Sequence, residues 1–315
     1  MTAFPDARDL LARLNLPADD GLGEPSPHRF RDGGAWRIEI PSVEGPRVLE
    51  AVLEEARRLD CPVHRVSQGS GVQLLTDAEI REMARIGRDA GVEVSLFLGP
   101  RAGFEPGAMH LAPNGGVVRP RLRGMSAVRA ALDDALRAYA GGIRSVLVAD
   151  DGMLVLAQQL RAAGLWPPDL HIKVSVMMGA ANPIAVRHWA DTGIATYNVP
   201  TDLSLEQLAT IRRITTVPLD IYVEAPDDVG GFVRYAELAG FVQYAAPVYL
   251  KFGLRNAPNI YPSGLQWEAQ AIQMGRERVH RARVGYEALC RAGLGERMSP
   301  LPVRTDDLAI PRPPA

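Results

Sequence analysis

The stretch HIKVSVMM, residues 171–178, alternates between two chemically different faces. Successive side chains of a β-strand point to opposite sides, so every second residue shares a face. One face is apolar and consists of Ile172, Val174, Val176 and Met178. The other face consists of His171, Lys173, Ser175 and Met177. This pattern predicts a strand over 170–178 that has one side in an apolar layer and titratable groups on the other.

Short runs of this kind recur along the chain, and helical stretches separate them. The predicted strands cover 36–41, 63–68, 92–99, 144–149, 170–178, 196–200, 218–225 and 247–252. The predicted helices cover 45–59, 77–90, 126–140, 152–163, 183–192, 204–214, 230–244 and 266–292. Repeated strand–helix units are typical of parallel βαβ folds. We therefore predict one (β/α)8 TIM barrel. The alternative is an open doubly wound sheet, although no GxGxxG follows the first strand.

Three segments fall outside this repeat. Residues 1–33 are predicted to form an N-terminal extension with a helix and a loop that closes the barrel floor. Residues 102–124 form a long loop after strand 3, which exceeds the usual βα connection of about 2–6 residues and is a candidate lid. Residues 299–315 are rich in proline and predict a loosely ordered tail. The barrel itself is predicted to cover 34–298.

The polar residues of each predicted strand share one face, and this arrangement has a functional implication. In a parallel barrel the outer face lies under helices and must be apolar, so the polar face points inward. Most such barrels fill the interior with Val, Ile and Leu, because buried charge is costly unless it is paired. A chain with inward charges on many strands is therefore expected to use some of them, and barrel active sites lie at the carboxyl ends of the strands.

Lys251 and Lys173 are the first candidates for catalysis. A lysine in a desolvated pocket can lose its proton and form a Schiff base with a carbonyl group. Glu224 and Tyr222, on the neighbouring strand, could then move protons. The opposing interpretation is structural, with Lys251 and Glu224 forming a buried ion pair.

Six further residues are candidates for substrate binding. Arg101 and Arg255 could clamp a carboxylate or a phosphate with two hydrogen bonds each. The other candidates lie late in strands or in the glycine-rich turn SQGSG, residues 67–71, and are Glu39, Gln68, Ser70 and Asn198. A divalent metal ion is a separate possibility, and its ligands would be Glu39, His171 and Glu224.

Composition restricts the classes of partner. The 315 residues carry 35 basic and 37 acidic side chains, a net charge of −2, so nucleic-acid binding is not expected. The two cysteines, Cys61 and Cys290, form no CxxC pair, which favours a reducing, cytoplasmic setting without zinc–thiolate sites. The first residues, MTAFPDARDLLARLNL, predict neither a signal peptide nor a membrane anchor. The sequence leaves open whether the protein forms a homo-oligomer.

Five motifs are similar to those of the collagenase-like peptidases, the peptidase family of unknown catalytic type thirty-two. They are HRVSQGSG, VSVMMGAANP, YNVPTDL, IYVEAPDDVGGF and APVYLKFGLRNAP, and the resemblance spans roughly 34–290. The resemblance implies a barrel and a peptidase activity. Members of the core family also carry a cysteine cluster that holds iron and sulfur in some relatives. This chain has only Cys290 in that region, so a divergent subgroup without an iron–sulfur cluster is expected.

The sequence thus predicts a barrel enzyme that acts on a small polar molecule, either anionic or carbonyl-bearing. Lyase or isomerase chemistry is the first hypothesis, with Lys251 as electrophile or electrostatic clamp and Glu224 as acid and base. This hypothesis predicts no cofactor. A peptidase-like hydrolase, with or without the assistance of a metal ion, is the second hypothesis. The third is a binding or scaffold barrel whose inward charges form a structural network.

Overall fold

Eight parallel strands close into a barrel in the order in which they follow one another along the chain. The computed structural model describes residues 5–107, 109–113 and 115–314. The closed order confirms the predicted (β/α)8 TIM barrel. The strands are β1 (Trp36–Pro41), β2 (Arg65–Ser67), β3 (Glu93–Phe97), β4 (Ser145–Val148), β5 (His171–Val174), β6 (Thr196–Asn198), β7 (Leu219–Glu224) and β8 (Val248–Phe252).

Helices follow the strands and cover the outside of the barrel. They are α1 (Ala7–Arg13), α2 (Pro46–Arg58), α3 (Asp77–Ala90), α4 (Gly124–Ala140), α5 (Asp151–Ala162), α6 (Pro183–Ala190), α7 (Leu205–Ile214), α8 (Leu238–Tyr244) and α9 (Glu268–Arg291). Side chains that cap free backbone N–H groups define several of their starts. Thr76 and Ser204 each begin a reciprocal capping box. Across the described ranges, no helix is long and apolar enough to cross a membrane.

Two elements are shorter than the sequence predicts. The strand expected over 170–178 ends at Val174, and a 3-10 turn over Val176–Met178 follows it. The hydroxyl of Ser175 accepts a hydrogen bond from the backbone of Met177, which stabilises this turn. The helix expected over 230–244 begins only at Leu238, because Gly230 and Gly231 both have positive φ angles that a helix does not allow.

The two faces of the strands separate as predicted. Ile38 and Ile40 of β1 have no exposed surface and belong to the main apolar core. Around β8, the ring of Phe252 packs so close to α9 that a Cβ atom at Gly285 would lie 2.6 Å from it. The opposite face of the strands fills the interior with polar and charged side chains. Charge inside the barrel is therefore a property of this fold, as the strand parity indicated.

The two chain ends close the floor of the barrel. Phe30 packs edge-on against Tyr249, with ring centroids 5.2 Å apart. Arg37 contacts both ends, because its guanidinium lies 2.9 Å from Asp32 and 3.1 Å from Asp307. Val303 is buried in the same cluster. The tail after residue 298 is thus packed against the floor, and the expectation of a loosely ordered tail is wrong.

The long loop after β3 runs along the carboxyl ends of the next strands. It contains two 3-10 turns, Met109–Leu111 and Gly115–Val118, and two of its positions, 108 and 114, lie outside the described residues. Arg121 donates a hydrogen bond to the carbonyl of Ala149, just after β4, at 3.2 Å. Met109 and Leu111 are exposed. The apolar side chains that would exclude water from the mouth therefore face solvent, and closure of the loop stays a prediction.

Candidate functional site

A cavity of about 80 Å³ opens at the carboxyl ends of the strands. A buried water needs roughly 10–15 Å³ of such space, so the cavity can hold a molecule of several heavy atoms. Its position is the one where TIM barrels carry their active sites. Residues from all eight strands or the turns after them line it, and they include Ser42, Ser67, Gln68, Phe97, Arg101, Leu147, Ser175, Asn198, Tyr222, Asp228, Lys251 and Tyr261.

Lys251 presents its ammonium group to this cavity. The group donates a hydrogen bond to the side-chain carbonyl of Asn198 at 2.6 Å and lies 3.2 Å from Oε1 of Glu39. The ring of Tyr222 lies beside it, with the nitrogen 4.4 Å from the ring centre. The side chain is almost fully buried, so these groups fix its position. Lys251, Asn198 and Tyr222 thus meet at the mouth of the barrel.

A network of ion pairs lies directly beneath Lys251. Lys173 donates to Glu39 at 2.8 Å and also to Asp220. Arg65 donates to the same two carboxylates, from Nε to Glu39 at 2.7 Å and from Nη2 to Asp220. All four side chains have at most 1% of their surface exposed. Glu39 and Lys173 therefore support the floor of the cavity and do not line it.

The charges of this network balance. Arg65, Lys173 and Lys251 supply the cations, while Glu39 and Asp220, with Glu93 at 3.8 Å from Arg65, supply the carboxylates. Burial alone would raise the pKa of Glu39, but the charges of Arg65, Lys173 and Lys251 lower it well below its usual value. Burial and the charge of Arg65 lower the pKa of Lys173 to about 8. Glu39 is thus ionised, and Lys173 is the member that titrates most easily above neutral pH.

Tyr222 stays protonated at neutral pH, because burial and the charge of Glu39 raise the pKa of its hydroxyl above the usual value. Asp228 lies at the rim of the cavity. Loss of solvent and the neighbouring Asp227 raise its pKa, although much of the residue stays exposed. Tyr222 can therefore donate a hydrogen bond to a molecule in the cavity, and the raised pKa of Asp228 favours its protonated form more than in an ordinary aspartate.

Arg101 lines the cavity at the start of the long loop. Its Nη2 donates to the backbone carbonyl of Gly69 at 2.6 Å, and its guanidinium stacks on Phe97 and Phe104 at 4.3 and 4.2 Å from the ring centres. Within the described residues, no carboxylate lies within 4 Å of it. A guanidinium remains charged under all ordinary conditions. Arg101 is thus a buried cation at the cavity without a partner of opposite charge.

Glu224 does not point into the cavity, so this part of the prediction is wrong. The register between β7 and β8 shifts after Tyr222, which pairs with Lys251, so that Glu224 pairs with Phe252. Phe252 faces outward, and Glu224 therefore faces outward too. Its carboxylate accepts a hydrogen bond from the backbone of Arg255 at 3.0 Å and lies 3.8 Å from Arg281 of α9. The predicted Lys251–Glu224 ion pair is replaced by the pair between Lys251 and Glu39.

The residues proposed as metal ligands do not meet. Glu39 lies in the interior, Glu224 faces outward, and His171 begins β5 and lines grooves at the floor. Across residues 5–107, 109–113 and 115–314, no group of three His, Cys, Asp or Glu side chains could hold a metal ion. The structure therefore does not bring Glu39, His171 and Glu224 together, and a bound divalent metal ion stays a prediction.

Two predicted substrate ligands, Ser70 and Arg255, lie away from the cavity. A third, Gln68, lines the cavity and also holds a backbone turn in place. The hydroxyl of Ser70 accepts a hydrogen bond from the backbone of Ser263 at 2.8 Å. The side chain of Arg255 is 59% exposed and lies 3.5 Å from Asp227. Gln68 lines the cavity as predicted, and its side chain also bonds the backbone of Gly71, which fixes the turn over 67–71.

Sequence reasoning missed several residues of the site. Arg65 is the central cation of the network. It lies two residues before Ser67 on β2, so the two side chains share one face of the strand, and this spacing could have revealed it. Tyr261 lines the cavity and its hydroxyl lies 2.5 Å from that of Ser42, but it lies in the loop after β8, where no periodicity identifies an inward side chain. The same holds for Asp228, in the turn after β7.

Several solved structures are similar to this chain. A U32 peptidase, Mk0906, is 21% identical over 62% of this chain and 72% of its own, with a TM-score of 0.40. A chain named as a fructose-1,6-bisphosphate aldolase of Coccidioides immitis is 14% identical over 84% of this chain and 93% of its own, with a TM-score of 0.50. A copper homeostasis protein CutC of Streptococcus agalactiae is 11% identical over 68% and 98%, with a TM-score of 0.46. At these identities, the likeness concerns the fold alone.

None of the curated proteins matches this chain. One family model does match, that of peptidase family U32, over residues 124–225. This stretch runs from α4 to the end of β7 and includes two of the five motifs on which the resemblance rests and the first residues of a third. The resemblance drawn from the sequence is thereby confirmed. Over residues 124–225, this chain is similar to peptidase family U32.

Proposed function

We propose that the barrel is an enzyme whose mouth binds a small molecule with a carboxylate and a carbonyl group, and that Lys251 acts on the carbonyl. The observation that carries this proposal is the presence of two cations, Arg101 and Lys251, in the lining of one small cavity. Arg101 has no carboxylate within ion-pair distance in the described part of the chain, whereas Lys251 has a carbonyl and a carboxylate. The two cations are therefore suited to different parts of one ligand.

Arg101 is the group that binds the carboxylate. A buried charge without a partner is unfavourable, and an anion that contacts it recovers part of the lost solvation. Guanidinium also matches the geometry of a carboxylate with parallel hydrogen bonds. Phe97 and Phe104 hold the guanidinium plane between their rings, so little side-chain entropy is lost when an anion binds.

Lys251 is the nucleophile of the proposed reaction. Its neutral amine would add to the carbonyl carbon, and the carbonyl oxygen would leave as water, which gives an imine. The imine withdraws electrons from the adjacent bond, so lyase and isomerase chemistry both follow from it. The proton of Lys251 needs an acceptor. Neutral Lys173, on the far side of Glu39, can take it up, and because the pKa of Lys173 is lowered to about 8 this neutral form becomes common as the pH rises through that value. Tyr222 and Asp228 replace Glu224 as the groups that donate protons.

A peptidase-like hydrolase is the second candidate, and the family match supports it. The hydroxyl of Ser67 lines the cavity and donates a hydrogen bond to Glu39 at 2.7 Å, which resembles a nucleophile with its base. However, surrounding cations lower the pKa of Glu39 well below its usual value, so this carboxylate is a poor base. The geometry therefore favours chemistry at Lys251 over chemistry at Ser67.

Binding of pyruvate, a minimal molecule with both groups, tests the proposal. Calorimetric titration of the purified protein should show binding, and Arg101→Met should weaken it by roughly tenfold or more, because a hydrogen-bonded ion pair is lost. Arg129→Met is the matched control, since Arg129 is exposed and pairs with Asp133 on the surface of α4. Equal affinities in the wild type and the Arg101 variant would contradict the proposed carboxylate site.

A further inference from the structure

A second cavity, of about 230 Å³, adjoins the mouth of the barrel. The turn after β7, the loop after β8 and helix α9 enclose it. It shares Ser42, Pro226, Asp228 and Tyr261 with the first cavity. The rest of its lining is largely apolar and includes Leu254, Ala257, Pro258, Ile260 and Met274. The two cavities therefore lie against each other at Ser42 and Tyr261.

Arg278 of α9 lines the second cavity with unsatisfied donors. Only 3% of the residue is exposed, and neither Nε nor Nη1 has a hydrogen-bond partner among the described residues. Arg212 offers the comparison, since it is equally buried but donates to the carbonyls of Ala245, Thr215, Val217 and Pro247. Buried guanidinium groups are ordinarily satisfied in this way, and an exception requires an explanation. The exception at Arg278 lies at a cavity wall, where a bound molecule can supply the acceptor.

The charge around the two cavities is also unbalanced. Glu44 is the buried carboxyl group near both Arg101 and Arg278, but neither guanidinium reaches it at ion-pair distance. Its oxygens accept hydrogen bonds from the backbone of Gly69 and Ser70 at 2.9 and 3.0 Å, and burial raises its pKa. Burial favours the protonated form of Glu44, and in that form two buried guanidinium groups face no ionised carboxylate at ion-pair distance within the described residues. A ligand with two carboxylates would balance these two charges.

We infer that Arg278 binds a second carboxylate of the substrate, so that the substrate class is a small 2-oxo dicarboxylic acid. This inference rests on the proposed function, because the first carboxylate is the one at Arg101 and the carbonyl is the one at Lys251. A carboxylate fits better than a phosphate, since one guanidinium neutralises one charge and Asp227 and Asp228 at the rim repel a second. The methylene groups of the ligand would pack on the apolar wall formed by Leu254 and Ile260.

Titration of a ligand series tests the inference. Oxaloacetate, 2-oxoglutarate and 2-oxoadipate should bind the wild-type protein more tightly than pyruvate, with one chain length preferred. Arg278→Met should weaken binding of the preferred dicarboxylate by roughly tenfold and leave pyruvate unchanged. Arg101→Met should weaken both. Arg276→Met is the matched control on the same helix, because Arg276 is exposed and pairs with Glu54.

Thermal melting without ligand provides an independent reading. Replacement of Arg278 by Met removes buried unsatisfied donors, so the melting temperature should stay the same or rise, whereas Arg212→Met should lower it. Arg278→Lys keeps the positive charge but lacks the paired, planar N–H donors of a guanidinium group. It should therefore retain part of the affinity for the dicarboxylate. Pyruvate binding that depends on Arg101, together with dicarboxylate binding that ignores Arg278, would overturn this inference and leave the proposed function intact. Absence of binding by every member of the series would overturn both.

Discussion

The carboxylate of Glu39 connects two lysines at different depths of the barrel. Its Oε2 accepts a hydrogen bond from Lys173 at 2.8 Å, and its Oε1 lies 3.2 Å from the nitrogen of Lys251. Lys173 is sealed inside the barrel, whereas Lys251 lines the cavity. A change of charge on either lysine therefore acts on the other through the ionised carboxylate of Glu39. Glu39 thus belongs both to the structural network and to the proposed chemistry.

Replacement of Glu39 tests the structural half of this relationship. Glu39→Gln removes one anion from a balanced, fully buried set of charges, so the free energy of unfolding should fall by roughly 3–5 kcal/mol. Urea denaturation measures this loss. Glu224→Gln is the matched control, because Glu224 faces outward and a glutamine oxygen can still accept the hydrogen bond from Arg255. Its expected loss is about 1 kcal/mol. Equal losses in the two variants would contradict the central position of Glu39.

Phe104 is expected to hold Arg101 in its binding position. Its ring lies 4.2 Å from the guanidinium, and removal of a partly exposed cation–π contact costs about 0.5–1 kcal/mol. Phe104→Ala should therefore weaken pyruvate binding by a few fold at nearly unchanged melting temperature. Met109→Ala, an exposed position in the same loop, is the control. If both variants bind pyruvate as the wild type does, the ring has no role in positioning Arg101.

Stability should decrease in mild acid because of His64. Burial lowers the pKa of this side chain from 6.5 to about 4, and its ring nitrogens bond the backbone of Ile38 and Ser299. Between these two values the unfolded chain binds a proton that the folded chain does not, so the free energy of unfolding falls as the pH drops from about 6.5 towards 4. The loss amounts to roughly 1.4 kcal/mol per pH unit.

Denaturant titrations at pH 6.5, 5.5 and 4.5 measure this slope. His64→Gln should flatten it, since glutamine does not titrate in this range. A variant with the same slope as the wild type would assign the acid sensitivity to other groups.

The strand parity in the sequence was sufficient to predict the closed barrel and its charged interior. It placed Lys251, Lys173, Glu39 and Asn198 on the inner face of the strands, because side chains on regular strands alternate strictly, but Glu39 and Lys173 lie beneath the cavity that they were expected to line. It failed at Glu224, since a register shift after Tyr222 turns the following side chain to the outer face. Such a shift depends on the pairing with β8 and leaves no trace in the periodicity of β7 itself.

Other parts of the site depend on contacts between distant segments. Arg278 lies on α9, and its helical position identifies a buried face without indicating that its donors lack partners. Tyr261 reaches the mouth from a loop after the last strand. Residues of this kind become visible only when the closed barrel brings the loops together, so the second cavity could not be predicted from the sequence.

The dependence of imine formation on pH tests the role of Lys173. Because burial and Arg65 lower the pKa of Lys173 to about 8, its neutral form becomes common as the pH rises through that value. The rate at which a carbonyl compound is trapped on Lys251 should therefore rise between about pH 7 and 9. Lys173→Met should remove this rise near pH 8. A rate that follows the same profile in both proteins would show that the proton of Lys251 leaves by another route.

Reductive trapping at Lys251 tests the central claim most directly. The protein is incubated with pyruvate and borohydride, and mass spectrometry of its peptides locates the added group. The account predicts a reduced adduct on the peptide that contains Lys251, its absence in Lys251→Met, and its loss in Arg101→Met at low pyruvate concentration. No other lysine can compete for the carbonyl, since Lys173 and Lys251 are the only two lysines in the sequence. No adduct, or an adduct on Lys173 alone, would contradict the assignment of Lys251 as the nucleophile.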